Sequence, residues 1–88
     1  MLAVITDKAQ DEKVRGDRLR DLGKMGATAV IPVATAIIAD KDERNGVQEH
    51  AAWALGEVGH PDALPALTSA KGVNGYAVKT AIIKIKTY

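Results

Sequence analysis

Between residues 45 and 58, apolar side chains recur at Val47, Ala51, Ala54, Leu55 and Val58. That spacing puts them on one stripe of an α-helix, with polar residues between them. The segment "VRGDRLRDLGKMGATAVIPV" (14–33) repeats the pattern of "VQEHAAWALGEVGHPDALPA" (47–66) at a step of 33 residues without a gap. Val14 falls on Val47, Leu22 on Leu55, Gly23 on Gly56, Gly26 on Gly59 and Pro32 on Pro65. Met25 meets Val58, and Ile31 meets Leu64. Self-similarity at a fixed period is the mark of a repeat architecture.

The match extends to both ends. "MLAVI" (1–5) falls on "ATAII" (34–38) at the same step. In "YAVKTAIIKIK" (76–86), Ala77, Ala81 and Ile85 repeat the spacing of Val47, Ala51 and Leu55, now 30 residues on. The chain therefore reads as one domain over 1–88: the end of a repeat (1–9), two full repeats (11–40 and 45–71) and the start of another (75–87). Each full repeat is expected to hold two helices, 11–25 with 28–40 and 45–58 with 61–70. The predicted fold is an all-α, right-handed α-solenoid of five or six short helices. Leu22, Ile31, Leu55 and Val58 are expected in its core. "AVIPVATAII" (29–38) has no charge and is expected to be covered on several sides.

Turn chemistry agrees with these boundaries. The Gly-x-x-Gly pairs Gly23/Gly26 and Gly56/Gly59 stop the first helix of each repeat, since glycine enters the left-handed region without steric cost. Thr28 is the expected N-cap of the next helix, and Pro61 suits a first helical position. Asp62 there complements the helix dipole. Pro32 and Pro65 lie about one turn in, where the missing N–H costs little.

The run "VQEHAAWALGEVGHPDALPAL" closely resembles the HEAT-like repeat of the phycobilisome-lyase type, and "VRGDRLRDLGKMGATAVIPV" resembles it more loosely. That pattern is Val-Arg, then Ala-Leu-Gly-x-Ile-Gly, a short turn and Ala-Ile-Pro-Ala-Leu. Gln48 stands where it has an Arg, whereas Arg15 keeps it, and the chain starts and ends in mid-repeat. The resemblance implies a helical-repeat fold. It also carries an alternative function, as a subunit or fragment of a bilin lyase-like, phycobilisome-handling protein that binds a linear tetrapyrrole or a phycobiliprotein.

Composition narrows the chemistry. There is no cysteine among 88 residues, which removes disulfides and thiol catalysis. Net charge is +1, so whole-chain charge gives no steering to nucleic acid, which is not expected as a partner. No run approaches a membrane span, and "MLAVIT" lacks a basic leader, so a cytoplasmic protein without membrane contact is expected. Ser69 has no nucleophile frame around it, and "GKMG" lacks the setting of a phosphate loop. His50 and His60 do not match a ligand spacing. No enzyme activity, metal or cofactor is expected.

The charged helix "DEKVRGDRLRD" alternates opposite signs and reads as a solvated face. Lys79, Lys84 and Lys86, joined by Lys71, read as a solvated basic edge. Trp53 stands out, because the wheel places it away from Val47, Ala51 and Val58, between Glu49 and Glu57. Arg20 holds its place one repeat earlier, so the scaffold does not require an aromatic there. Tryptophan is enriched at binding hot spots. Trp53, Glu49, His50, Glu57 and Arg20 are therefore the candidate protein-binding residues of a non-catalytic interaction or scaffold module. The partner is another protein, or a further copy of the chain meeting the open solenoid ends.

Overall fold

The computed structural model describes residues 5, 7, 9–26, 28–40, 42–70 and 75–86. Among them are five α-helices and no strand: α1 (Glu12–Lys24), α2 (Val30–Ala39), α3 (Asn45–Val58), α4 (Leu64–Ser69) and α5 (Gly75–Lys86). A single 3-10 turn, Pro61–Ala63, leads into α4. The fold is an all-α helical-repeat solenoid, as the periodicity predicts. The expected repeat end at 1–9 and the start of α5's approach at 71–74 lie largely or wholly outside the described residues, as does Lys71.

The long helices α1, α3 and α5 pack side by side, with α3 in the middle. Helix α2 lies against α3, and α4 against α5, as a second, shorter layer. Two layers match the smallest dimension of the molecule, 17 Å. Val47, Ala51, Ala52, Ala54 and Leu55 of α3 are all fully buried, so the middle helix is the core. Leu19 and Leu22 reach it from α1, Val30, Ala34, Ile37 and Ile38 from α2, Leu67 from α4, and Ala81 and Ile85 from α5.

Small residues set how closely the long helices approach. A Cβ on Gly23 would lie 2.9 Å from the Cα of Ala54, and one on Gly56 would lie 2.8 Å from the Cα of Ala81. Both glycines are therefore contact points between neighbouring helices. The contact equivalent of Ala54 in α5 is Ala81, one turn from the register that the apolar stripe alone suggests. The second glycine of each pair stops its helix: Gly26 has φ 67° and Gly59 has φ 72°.

Side-chain hooks recur at the repeat step. Arg15 Nε donates to the Ile5 carbonyl at 2.8 Å, and Gln48 Nε2 donates to the carbonyls of Asp40 (2.8 Å), Ile37 (3.2 Å) and Ile38 (3.4 Å). Arg15 and Gln48 are one step apart, as are Ile5 and Ile38. Each polar side chain thus donates to carbonyls at the end of the preceding segment, where the Ile37 and Asp40 carbonyls also accept the N–H groups of Asp40 and Glu43. Asp7 and Asp40, also one step apart, each accept from the backbone N–H two residues on, at 2.9 Å.

Several expectations are corrected. The helix DEKVRGDRLRD is not wholly a solvated face, because Arg15 is 1% exposed and pairs with the buried Glu43. Val14 is 39% exposed although its counterpart Val47 is fully buried. The reason is position: Val47 faces α1, while among the described residues no long helix flanks the other side of α1. Val58 and Ile31 are half-buried rather than core, since they stand at the ends of their helices. Helix α2 is covered along one stripe only, and Pro32, Ala36 and Ala39 face outward. Thr28 does not cap α2; Ala29 holds that place without a side-chain hydrogen bond. His60 caps instead at the 3-10 turn, its Nδ1 accepting from the Asp62 N–H at 3.1 Å.

Candidate functional site: a groove around Trp53

Trp53 lies on the outer side of α3, between α1 and α5. It is half-buried rather than fully exposed. The cause is α5, whose small residues Ala77, Thr80 and Ala81 let the two helices come close, while the longer side chain of Lys84 closes over the ring. The Lys84 ammonium stands 5.5 Å from the centre of the indole, within cation–π range. The same ammonium makes an ion pair and hydrogen bond to Glu57 Oε1, one turn beyond Trp53 on α3. Lys84 is therefore not a solvated edge residue, as the sequence suggests; Lys79 and Lys86 are the exposed ones.

An open groove of about 460 Å³ runs over Trp53. Arg20 and Lys24 of α1 form one wall, and Tyr76, Thr80 and Lys84 of α5 form the other. Glu49 and His50 lie at the end nearer the start of α3. Four of the five residues singled out in the sequence, Arg20, Glu49, His50 and Trp53, thus line a single concave surface. The fifth, Glu57, adjoins it by holding Lys84.

His50 is fixed by the fold. Its Nδ1 stands 2.8 Å from the Gly46 carbonyl, an acceptor, so that nitrogen carries the proton. The ring rests on α1 at Gly16, where a Cβ would lie 3.0 Å from it. Glycine at that point is what lets an imidazole sit between α1 and α3. His50 therefore shapes the groove end.

The sequence did not point to Tyr76, Lys24, Thr80 or Lys84 as groove residues. Tyr76 is 81% exposed, and its aromatic character is the one signal that could have marked it. The others become neighbours of Trp53 only through the register of α5 on α3. No cluster of three His, Cys, Asp or Glu able to hold a metal occurs among the described residues. No buried side-chain polar atom among them lacks a hydrogen-bond partner.

Stacked helical hairpins with recurrent inter-hairpin contacts define a helical-repeat protein. The family model for HEAT repeats matches residues 1–84, and the chain belongs to that family. No curated protein and no solved structure matches it. HEAT repeats commonly serve as protein-interaction scaffolds. No helix among the described residues is long and apolar enough to cross a membrane.

Proposed function

We propose that the protein is a non-catalytic interaction module that docks another protein in the groove around Trp53. The observation that carries this reading is convergence. A half-exposed tryptophan, the only one in the chain, forms the floor of a concave surface walled by Arg20, Lys24, Tyr76 and Lys84. Tryptophan, tyrosine and arginine are the residue types enriched at binding hot spots. A repeat scaffold supports such a site well, because the rigid helices hold the walls apart at a fixed distance.

The test compares wild type with Trp53→Ala in affinity capture from the native host, followed by measurement of the affinity for each retained protein. A hot-spot role predicts a loss of at least about thirtyfold, or about 2 kcal/mol. Partners that bind both forms equally would place the docking surface elsewhere, with the outer face of α2 the next candidate. Titration with a linear tetrapyrrole separates the lyase-like alternative. Saturable binding with a shift in its absorbance would favour that alternative over protein docking.

A further inference from the structure

We infer that the groove selects an acidic, apolar-bearing segment of its partner, with an apolar side chain over Trp53 and carboxylates toward Arg20 and Lys24. The inference rests on the docking reading above and adds the chemistry of the occupant.

The charges around Trp53 are unevenly placed. Arg20 and Lys24 are four residues apart on α1 and so share one edge of that helix. Both are exposed, and neither makes an ion pair among the described residues. The acids of α1 do not line the groove: Asp17 and Asp21 share the adjoining outer face with Val14, Arg18 and Arg20 itself, and Arg18 stands 3.8 Å from Asp21. Helix α5 has no acidic residue at all. The middle helix contributes two acids near the groove, but Glu57 is engaged by Lys84. With Lys84 and Glu57 paired to each other, that leaves Glu49 as the acid of the lining against Arg20 and Lys24.

The acid and the cations are also separated along the groove. The long helices run parallel, since Gly16 faces His50 and Gly23 faces Ala54. Glu49 therefore marks the end near Tyr76, and Lys24 and Lys84 mark the other end, beyond Trp53. A segment lying along the groove meets an aromatic floor and then a positive end. Carboxylates complete that end, whereas lysines of a basic segment would be repelled by it.

The floor argues for a peptide over a phosphate chain. Trp53 and Ala77, both half-buried, offer apolar contact, which a side chain such as leucine uses and a phosphate does not. Glu49 would repel a phosphate backbone passing its end, yet it can accept from a peptide N–H. A volume of about 460 Å³ suits a few side chains of a short segment.

Trp53 is the sole tryptophan, so its fluorescence reports on the groove directly. The experiment titrates the full chain with synthetic peptides of one apolar pattern, carrying Asp and Glu, Gln and Ser, or Lys and Arg at the polar positions. Inorganic phosphate and a single-stranded oligonucleotide are titrated in parallel. The expected result is saturable binding of the acidic peptide, weakened by salt and weakened at least about tenfold in the doubly substituted R20E/K24E protein. Circular dichroism of that variant confirms that it remains folded.

Tighter binding of the neutral or basic peptide would overturn the acidic preference while leaving protein docking intact. Equal affinity of the R20E/K24E protein for the acidic peptide would overturn the assigned cations. Saturation by the oligonucleotide or phosphate at lower concentration than by any peptide would replace the inference with an anion or nucleic-acid site. No response to any peptide would overturn the inference together with the docking reading.

Discussion

Arg15 and Glu43 face each other as a bidentate pair in the interior, with Nη1–Oε1 at 2.8 Å and Nη2–Oε2 at 2.5 Å. Their side chains are 1% and 3% exposed. The pair joins α1 to the segment leading into α3, and so ties one hairpin to the next. It is fully furnished, since Arg15 Nε holds the Ile5 carbonyl and Glu43 Oε1 also accepts from the Arg44 N–H. Removing one partner would strand a charge in a dry site. Glu43→Ala is expected to cost about 3–5 kcal/mol, far above the worth of a surface pair. Urea unfolding measures it. A loss under about 1 kcal/mol would mean that water reaches Arg15.

Gln48 performs the carbonyl-holding part of the same task one repeat later, without a charge. Gln48→Ala leaves the carbonyls at the end of α2 without their side-chain donor. A loss of about 1 kcal/mol is expected, the worth of a typical hydrogen bond, because the Ile37 and Asp40 carbonyls keep backbone N–H partners. Gln48→Leu should fare no better, because it restores volume but not the donor. If Gln48→Leu recovers full stability in urea unfolding, the hook contributes packing alone.

The glycines of the long helices separate by what surrounds them. Gly23→Ala and Gly56→Ala each gain helix propensity of about 1 kcal/mol, yet push a methyl into the backbone of a neighbouring helix. Overpacking of about 1–3 kcal/mol should win, since a backbone cannot turn aside as a side chain can. Gly46→Ala is the contrast. Its Cβ would meet the Glu12 carboxylate, the movable end of a flexible side chain, so that variant should be neutral or stabilised. Thermal unfolding of the three variants tests the order. Stabilisation by Gly56→Ala would mean that α5 is not held as close to α3 as Ala81 implies.

What was legible in the sequence follows from what each signal encodes. The 33-residue step fixes which residues are equivalent, so it found the helices, their glycine stops and buried Leu22 and Leu55. It is blind to position within the stack. Val14 and Val47 are equivalent letters, but one faces solvent and the other a helix. Arg15 shows a second blindness. Its partner Glu43 lies 28 residues away, in a loop whose path the local pattern does not set. The groove was half legible: the stripe Arg20, Glu49, His50, Trp53 and Glu57 follows from helical spacing, whereas Lys84 and Tyr76 arrive from α5, whose contact register is one turn from the simple reading.

Trp53 combines these arguments. On the helical wheel alone, truncation should change stability by no more than about 0.5 kcal/mol, the surface range. The structure revises that expectation, because α5 covers part of the ring and Lys84 stands 5.5 Å over it. Trp53→Ala should therefore destabilise the fold by about 1–2 kcal/mol, below the roughly 3–5 kcal/mol of a fully buried aromatic. Lys84→Met separates the contributions, since it keeps the covering chain but removes the charge, the cation–π contact and the pair with Glu57. Partly exposed contacts of that kind are worth about 1 kcal/mol together. Urea unfolding of both variants and their combination gives the coupling. A cost for Trp53→Ala above about 3 kcal/mol would assign the ring to the core and remove the anchor of the docking reading. A cost near zero, with no coupling to Lys84, would mean that α5 does not close over the ring in solution.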